Sequence, residues 1–155
     1  MRVNPIPDGY HSVTPYLIVD DAEAALKFYR EALGAEETVR LPMGGKIGHA
    51  EIRIGNSMVM LSDEWPDMGA LGPKTRGGAT SSFVLYVEDA DKAFDRAVKA
   101  GAKVDKPVEN QFWGDRMGSV TDPFGHKWSF GSHVEDVSPE EMKKRMDAWA
   151  SQQGG

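Results

Sequence analysis

The chain has 155 residues, no cysteine and a formal net charge of −6, with 24 acidic residues against 18 basic ones. This length suits one domain with a proper core, and the missing cysteine excludes disulfides, thiolate metal sites and a cysteine nucleophile. An acidic balance argues against nucleic acid or an anionic membrane as partner, and no stretch approaches the roughly 20 apolar residues of a membrane span.

Met1 to Tyr10 carries Pro5, Pro7, Asp8 and Gly9 without an apolar run, so no signal peptide is expected there, and a cytoplasmic location fits the cysteine-free composition. A strand is predicted over Ser12–Val19, then a helix over Ala22–Leu33. Asp20 with Glu23 forms a candidate capping box, and Ala25, Leu26, Phe28, Tyr29 and Leu33 give the helix its apolar face. Strands follow at Glu37–Leu41, Gly48–Ile54 and Met58–Ser62. Residues 64–79, with Pro66, Gly69, Gly72, Pro73, Gly77 and Gly78, are expected to be a linking loop.

The second half repeats the order: strand Ser81–Val87, helix Ala90–Lys99, then strands Lys103–Val108, Met117–Thr121 and Lys127–Phe130. Val19-Asp20-Asp21-Ala22-Glu23-Ala24-Ala25-Leu26 matches Val87-Glu88-Asp89-Ala90-Asp91-Lys92-Ala93-Phe94 at an offset of 68, and both helices stop at Gly-Ala, Gly34-Ala35 and Gly101-Ala102. Gly48 to Leu61 matches Gly118 onward at an offset of 70. The fold class is thus α+β: two tandem βαβββ units, about 11–63 and 80–133. Ser138-Pro139-Glu140-Glu141 opens a C-terminal helix over about 138–151. Its basic residues Lys143, Lys144 and Arg145 read as a solvated face with local charge pairs.

Two βαβββ units, each with an acidic-Asp-Ala helix start, and Asp122-Pro123-Phe124-Gly125-His126 before the last strand resemble the vicinal oxygen chelate superfamily. That group includes glyoxalase I, extradiol dioxygenases, and fosfomycin- and bleomycin-resistance proteins. His49-Ala50-Glu51-Ile52, Gln111-Phe112-Trp113-Gly114-Asp115-Arg116 and Glu135-Asp136-Val137-Ser138-Pro139-Glu140-Glu141-Met142 look like its PhnB-like branch. The resemblance covers about Gly9 to His133. It implies a curled sheet around a cavity with helices outside, a homodimer, and in the metal enzymes a divalent cation held from the first and last strand of each unit.

The positions that would carry those ligands are Thr14 and Ser82, seven residues before the helix-opening aspartates Asp21 and Asp89, together with Ser129 and its repeat equivalent Val59. None offers imidazole or carboxylate, so the usual metal centre is expected to be missing. A type I turn at Asp122–Gly125 puts Ser119, Thr121 and Ser129 on the cavity face, with Val120, Trp128 and Phe130 towards the helices. Carried to the first unit, this register places His49 and Glu51 on the cavity face beside Val59, and Ala50, Ile52, Met58 and Met60 towards the helix.

His49 and Glu51 are the sharpest candidates. They fit a polar pair bonded to water or structure, a ligand-binding pair, or an acid–base pair that also offers two ligands to a displaced metal. Thr14, Tyr16, Ser82, Tyr86, Trp113 and Ser129 are candidate contacts for a small organic ligand. Asp115–Arg116 reads as a loop-fixing ion pair, Trp65 as packing or a dimer contact, and His126 as solvent-exposed; His11 and His133 lack ligand spacing. Binding of a small, partly aromatic molecule is the expected function. A glyoxalase-type lyase, isomerase or dioxygenase using His49 and Glu51 is the alternative, and a scaffold with a filled cavity is the third reading.

Overall fold

A computed structural model describes residues 2–154. The elements run β1 (Tyr16–Val19), α1 (Ala22–Leu33), β2 (Glu36–Met43), β3 (Lys46–Ile54) and β4 (Ser57–Asp63), then a 3₁₀ turn (Pro66–Met68) and a single-turn helix α2 (Pro73–Arg76). The second unit follows with β5 (Ser82–Tyr86), α3 (Ala90–Ala100), β6 (Lys103–Asn110), β7 (Asp115–Thr121) and β8 (Lys127–His133), before the terminal helix α4 (Pro139–Gln153). The linker therefore holds two short helical turns where a plain loop was expected. Among the described residues, no helix is long and apolar enough to cross a membrane.

Each unit makes a four-stranded sheet of the same topology, β1-β4-β3-β2 and β5-β8-β7-β6. The edge strand is parallel to its neighbour and the other pairs are antiparallel. β1 starts at Tyr16, later than the sequence suggests, because Pro15 has no N–H for a ladder; its carbonyl still accepts from Met60 N at 2.9 Å. β2 and β3 are longer than expected because Gly44 and Gly45, both at positive φ, close a two-residue hairpin between them.

Helix α1 is capped by Asp21, not Asp20: the Asp21 carboxylate accepts from Ala24 N at 3.0 Å. Asp20 pairs with Lys74 instead, and Glu23 with Arg40. Asp89 caps α3 in the same way, accepting from Lys92 N at 3.0 Å, so the repeat extends to the caps. Ser138 caps α4 as expected, with Glu141 N donating to its hydroxyl.

Both units share one core. Leu17, Val19, Ala50, Ile52, Val59 and Leu61 pack under Ala25, Leu26 and Tyr29 of α1, and the cluster continues into Phe94, Ala97, Val120, Trp128 and Phe130. Phe124, at the tip of the β7–β8 hairpin, sits edge-on to Phe28 and Tyr29 of the other unit, with both centroid separations 6.1 Å. Val59 and Met60 correct the expected register. Val59 is opposite Ile52 and belongs to the core, whereas Met60 is opposite Glu51 on the other face, as Met58 is opposite Arg53.

Candidate functional site

Side chains of directly opposed strand residues share a face, so the register lays out the open side of the first sheet. One row crosses all four strands: Tyr16 on β1, Met60 on β4, Glu51 on β3 and Val39 on β2. His49 stands two residues from Glu51 and opposite Leu41. The Tyr16 hydroxyl reaches His49 Nδ1 at 2.9 Å, and His49 Nε2 lies 3.1 Å from Glu51 Oε2. Period-two alternation thus brings three of the sequence candidates together, while Ala50 and Ile52 turn into the core.

The direction of these bonds follows from donor chemistry. An ionised glutamate only accepts, so in neutral His49 the Nε2 carries the hydrogen and Nδ1 accepts from Tyr16. The phenol oxygen keeps acceptor capacity on a ring that is 48% exposed. The His49 and Glu51 side chains are more sheltered, and no lysine or arginine pairs with Glu51 among the described residues. Leu41, opposite His49 and 55% exposed, flanks the cluster with apolar surface.

The equivalent row of the second sheet is Val84, Ser129, Ser119 and Lys106. Its chemistry differs at every position: valine stands for Tyr16 and serine for Glu51. Ser129, Ser119 and Trp113 border a hollow of about 140 Å³ with Met117, Gln111 and Lys106. Ser82 is exposed at the start of β5, opposite Lys127. Thr14 lies ahead of β1, its hydroxyl 3.5 Å from the His11 carbonyl.

Tyr86 belongs to a second polar cluster, one that sequence reasoning does not anticipate. Its hydroxyl donates to Asp115 Oδ2 at 2.8 Å, Trp113 Nε1 donates to the same oxygen at 3.2 Å, and His133 Nδ1 lies 2.8 Å from Oδ1. His133 Nε2 is 2.7 Å from Asp136. Gly131 opens the space: a Cβ there would stand 2.8 Å from the Met117 methyl. Burial works to raise the Asp115 pKa, but hydrogen bonds from His133, Tyr86 and Trp113 outweigh it and hold the carboxyl below its ordinary range. Asp136 first, then Asp115, push the His133 pKa up, and the bond to Asp115 pushes the Tyr86 phenol up.

Other expectations need correction. Asp115 and Arg116 are not an ion pair, because consecutive strand residues face opposite ways; Arg116 instead grips Asp91 at 2.7 and 2.9 Å. His126 is partly buried rather than solvent-exposed, with Nε2 2.9 Å from the Ile18 carbonyl, joining the units. Trp65 needs no such correction: it is bridged to Ala70 and lies under Lys46, whose Nζ is 5.1 Å from the ring centre, as a packing residue would.

With Met60 in place of Val59, the four places from which the superfamily's cation would be held carry the hydroxyls of Thr14, Ser82 and Ser129 and one thioether. That donor set does not suit a divalent cation. Among the described residues, no group of three or more histidine, aspartate or glutamate side chains is arranged to hold an ion.

Comparison with known proteins agrees with the topology. The model of the Glyoxalase/Bleomycin resistance protein/Dioxygenase superfamily matches residues 9–130. An uncharacterized protein of Mycobacterium bovis is 43% identical over 141 residues, covering 88% of this chain and 93% of that one. Protein YjdN of Escherichia coli is 28% identical over 141 residues, covering 75% of this chain and 91% of its own. The crystal structure of TioX from Micromonospora sp. ML1 superposes with a TM-score of 0.64 at 28% identity, covering 80% of this chain and 99% of that one.

Proposed function

This chain belongs to the glyoxalase/bleomycin resistance protein/dioxygenase superfamily, and we propose that it binds a small apolar or partly aromatic organic molecule on the open face of its first sheet, without the superfamily's usual metal centre. The observation that carries this reading is the Tyr16–His49–Glu51 run of hydrogen bonds beside the apolar side chains of Met60, Val39 and Leu41. A flat ligand stacks on Tyr16 and covers the apolar side chains. Its polar edge meets the phenol oxygen, which His49 holds in place. The hollow around Ser119, Ser129 and Trp113 offers a smaller companion subsite, and the working form is a homodimer.

A second reading has one specific observation in its favour. The run is ordered as a proton relay: Tyr16 can pass its proton to Nδ1 of His49, and Glu51 steadies the imidazolium that results. The phenolate then accepts a proton from the ligand, as a lyase or isomerase requires.

The test is thermal denaturation against a diverse library of small organic molecules, since a ligand that binds only the folded state raises the melting temperature. The expected result is a hit whose shift is lost in Tyr16→Phe and His49→Ala. Metal analysis of protein purified without chelator runs in parallel. Stoichiometric metal that disappears in His49→Ala and Glu51→Ala would overturn the metal-free reading and favour the enzyme. Light scattering checks the dimer.

A further inference from the structure

A cavity of about 660 Å³ lies on the seam between the two units; Tyr86 borders it, but none of Tyr16, His49, Glu51, Trp113 or Ser129 does. Its volume falls within the range of small-molecule sites. Ala32, Leu33, Ile54, Leu85, Ala93 and Phe130 contribute apolar walls from both units. Among the described residues that line it, Arg96 alone carries a charge.

Arg96 donates Nε to the Glu31 carbonyl at 2.7 Å and Nη2 to the Arg30 carbonyl at 3.3 Å, at the C-terminal end of α1. Those two bonds leave donors of its five-donor fork unused, and among the described residues no carboxylate lies within ion-pair distance of it. The free edge of β5 also borders the cavity. Val87 N–H points towards β8, donating to the Gly131 carbonyl, so strand alternation turns the N–H groups of Val84 and Tyr86 to the unpaired edge. The Asn56 amide and Ser57 hydroxyl complete a polar rim that carries no negative charge.

We propose that the seam cavity is a second ligand site, separate from the open sheet face, and that it takes a small apolar molecule ending in a carboxylate. The body of the ligand fills the space between α1, α3 and the β3–β4 hairpin. The carboxylate meets Arg96, which supplies the planar charged fork that such a group pairs with best.

Three probes of one shape test this on the full chain: 4-phenylbutyrate, 4-phenylbutanol and 4-phenylbutylamine, titrated while backbone amide NMR signals are followed. The carboxylate is expected to shift the Val84, Tyr86 and Ser57 amides saturably and to bind at least about tenfold tighter than the alcohol, as a charge-assisted hydrogen bond provides. The amine gains nothing over the alcohol. Arg96→Gln removes the preference for the acid, and Ala93→Leu, which fills the cavity, weakens acid and alcohol alike. Arg96 also caps α1, so if Arg96→Gln fails to fold, Arg96→Lys and Ala93→Leu decide. Tyr16→Phe leaves this binding unchanged, which separates its failure from that of the proposed function. Equal affinity for acid and alcohol, a preference intact in a folded Arg96→Gln variant, shifts confined to the His49 face, or no saturable binding at millimolar probe would overturn the proposal. So would an Ala93→Leu variant that binds like the wild type, or one that breaks a dimer, which assigns the cavity to a second copy.

Discussion

Tyr29 on α1 donates its hydroxyl hydrogen to Asp122, 93 positions further along and in the other unit. Asp122 is 4% exposed and also accepts from Trp128 Nε1 and from the backbone of Phe124 and His126, at 2.9 Å each. One buried carboxylate therefore orders the β7–β8 turn, the central tryptophan and the helix of the neighbouring unit. Four donors satisfy a charge that would be costly to bury alone.

Tyr29→Phe should destabilise the protein by about 1–3 kcal/mol, because it removes one donor from a buried carboxylate without opening a cavity. Urea denaturation measures it. Burial first, and the Asp122 charge second, push the Tyr29 phenol well above its ordinary range. The unfolded chain loses that proton at about pH 10 while the folded chain keeps it, so the contribution is whole below about pH 10 and declines above. The wild type should lose stability more steeply than Tyr29→Phe in that alkaline range.

The Asp115–His133 pair should give stability a second pH signature. His133 has a raised pKa, so its contribution is full below about pH 6.5 and fades as pH rises through the folded-state value. Asp115 has a lowered pKa, so its contribution holds above about pH 4 and is lost as pH falls through the folded-state value. The plateau lies between these limits. His133→Asn should remove the decline on the alkaline side, and an NMR titration of His133 should find its midpoint above that of a free histidine.

His49 should be found as the Nε2–H tautomer at neutral pH by imidazole nitrogen NMR. Tyr16→Phe should leave that tautomer in place, since Glu51 alone dictates it, whereas Glu51→Ala should produce a mixture. A pure Nδ1–H signal in the wild type would reverse the direction of the Tyr16 bond and remove the relay.

Gly114→Ala should cost at least about 2 kcal/mol. Gly114 has φ +100°, and a Cβ there would stand 2.2 Å from the Glu135 carbonyl oxygen. The Gly114 carbonyl also accepts from Val134 and Glu135 N–H, so the substitution should loosen the chain between β8 and α4. Urea denaturation and tryptophan fluorescence report the two effects.

The repeat made the fold legible in the sequence, and period two made the His49–Glu51 face legible. The face of Val59 is not legible from the repeat, because the two hairpins differ in length. Gly55 and Asn56 join β3 to β4, whereas residues 122–126 join β7 to β8, so the units align at 68 on β3 but 69 on β4. One offset carried through both strands turns β4 inside out. The Tyr86–Asp115–His133 cluster leaves no local pattern because its members meet only through sheet register, His133 lying 18 residues from Asp115 and Tyr86 lying 29. Alternation along β7 alone, however, separates Asp115 from Arg116. The His126 contact with Ile18 depends on how the units pack, which no local pattern encodes.

Helix α4 buries none of its side chains. Arg145 fastens it, bonded to Glu135, Glu141 and the Phe112 carbonyl, with Trp149 resting near the Phe112 ring. An attachment of this kind answers to ionic strength more than to urea. Concentrated sodium chloride should undock the tail while the sheets stay intact, so this segment can come and go without the protein unfolding.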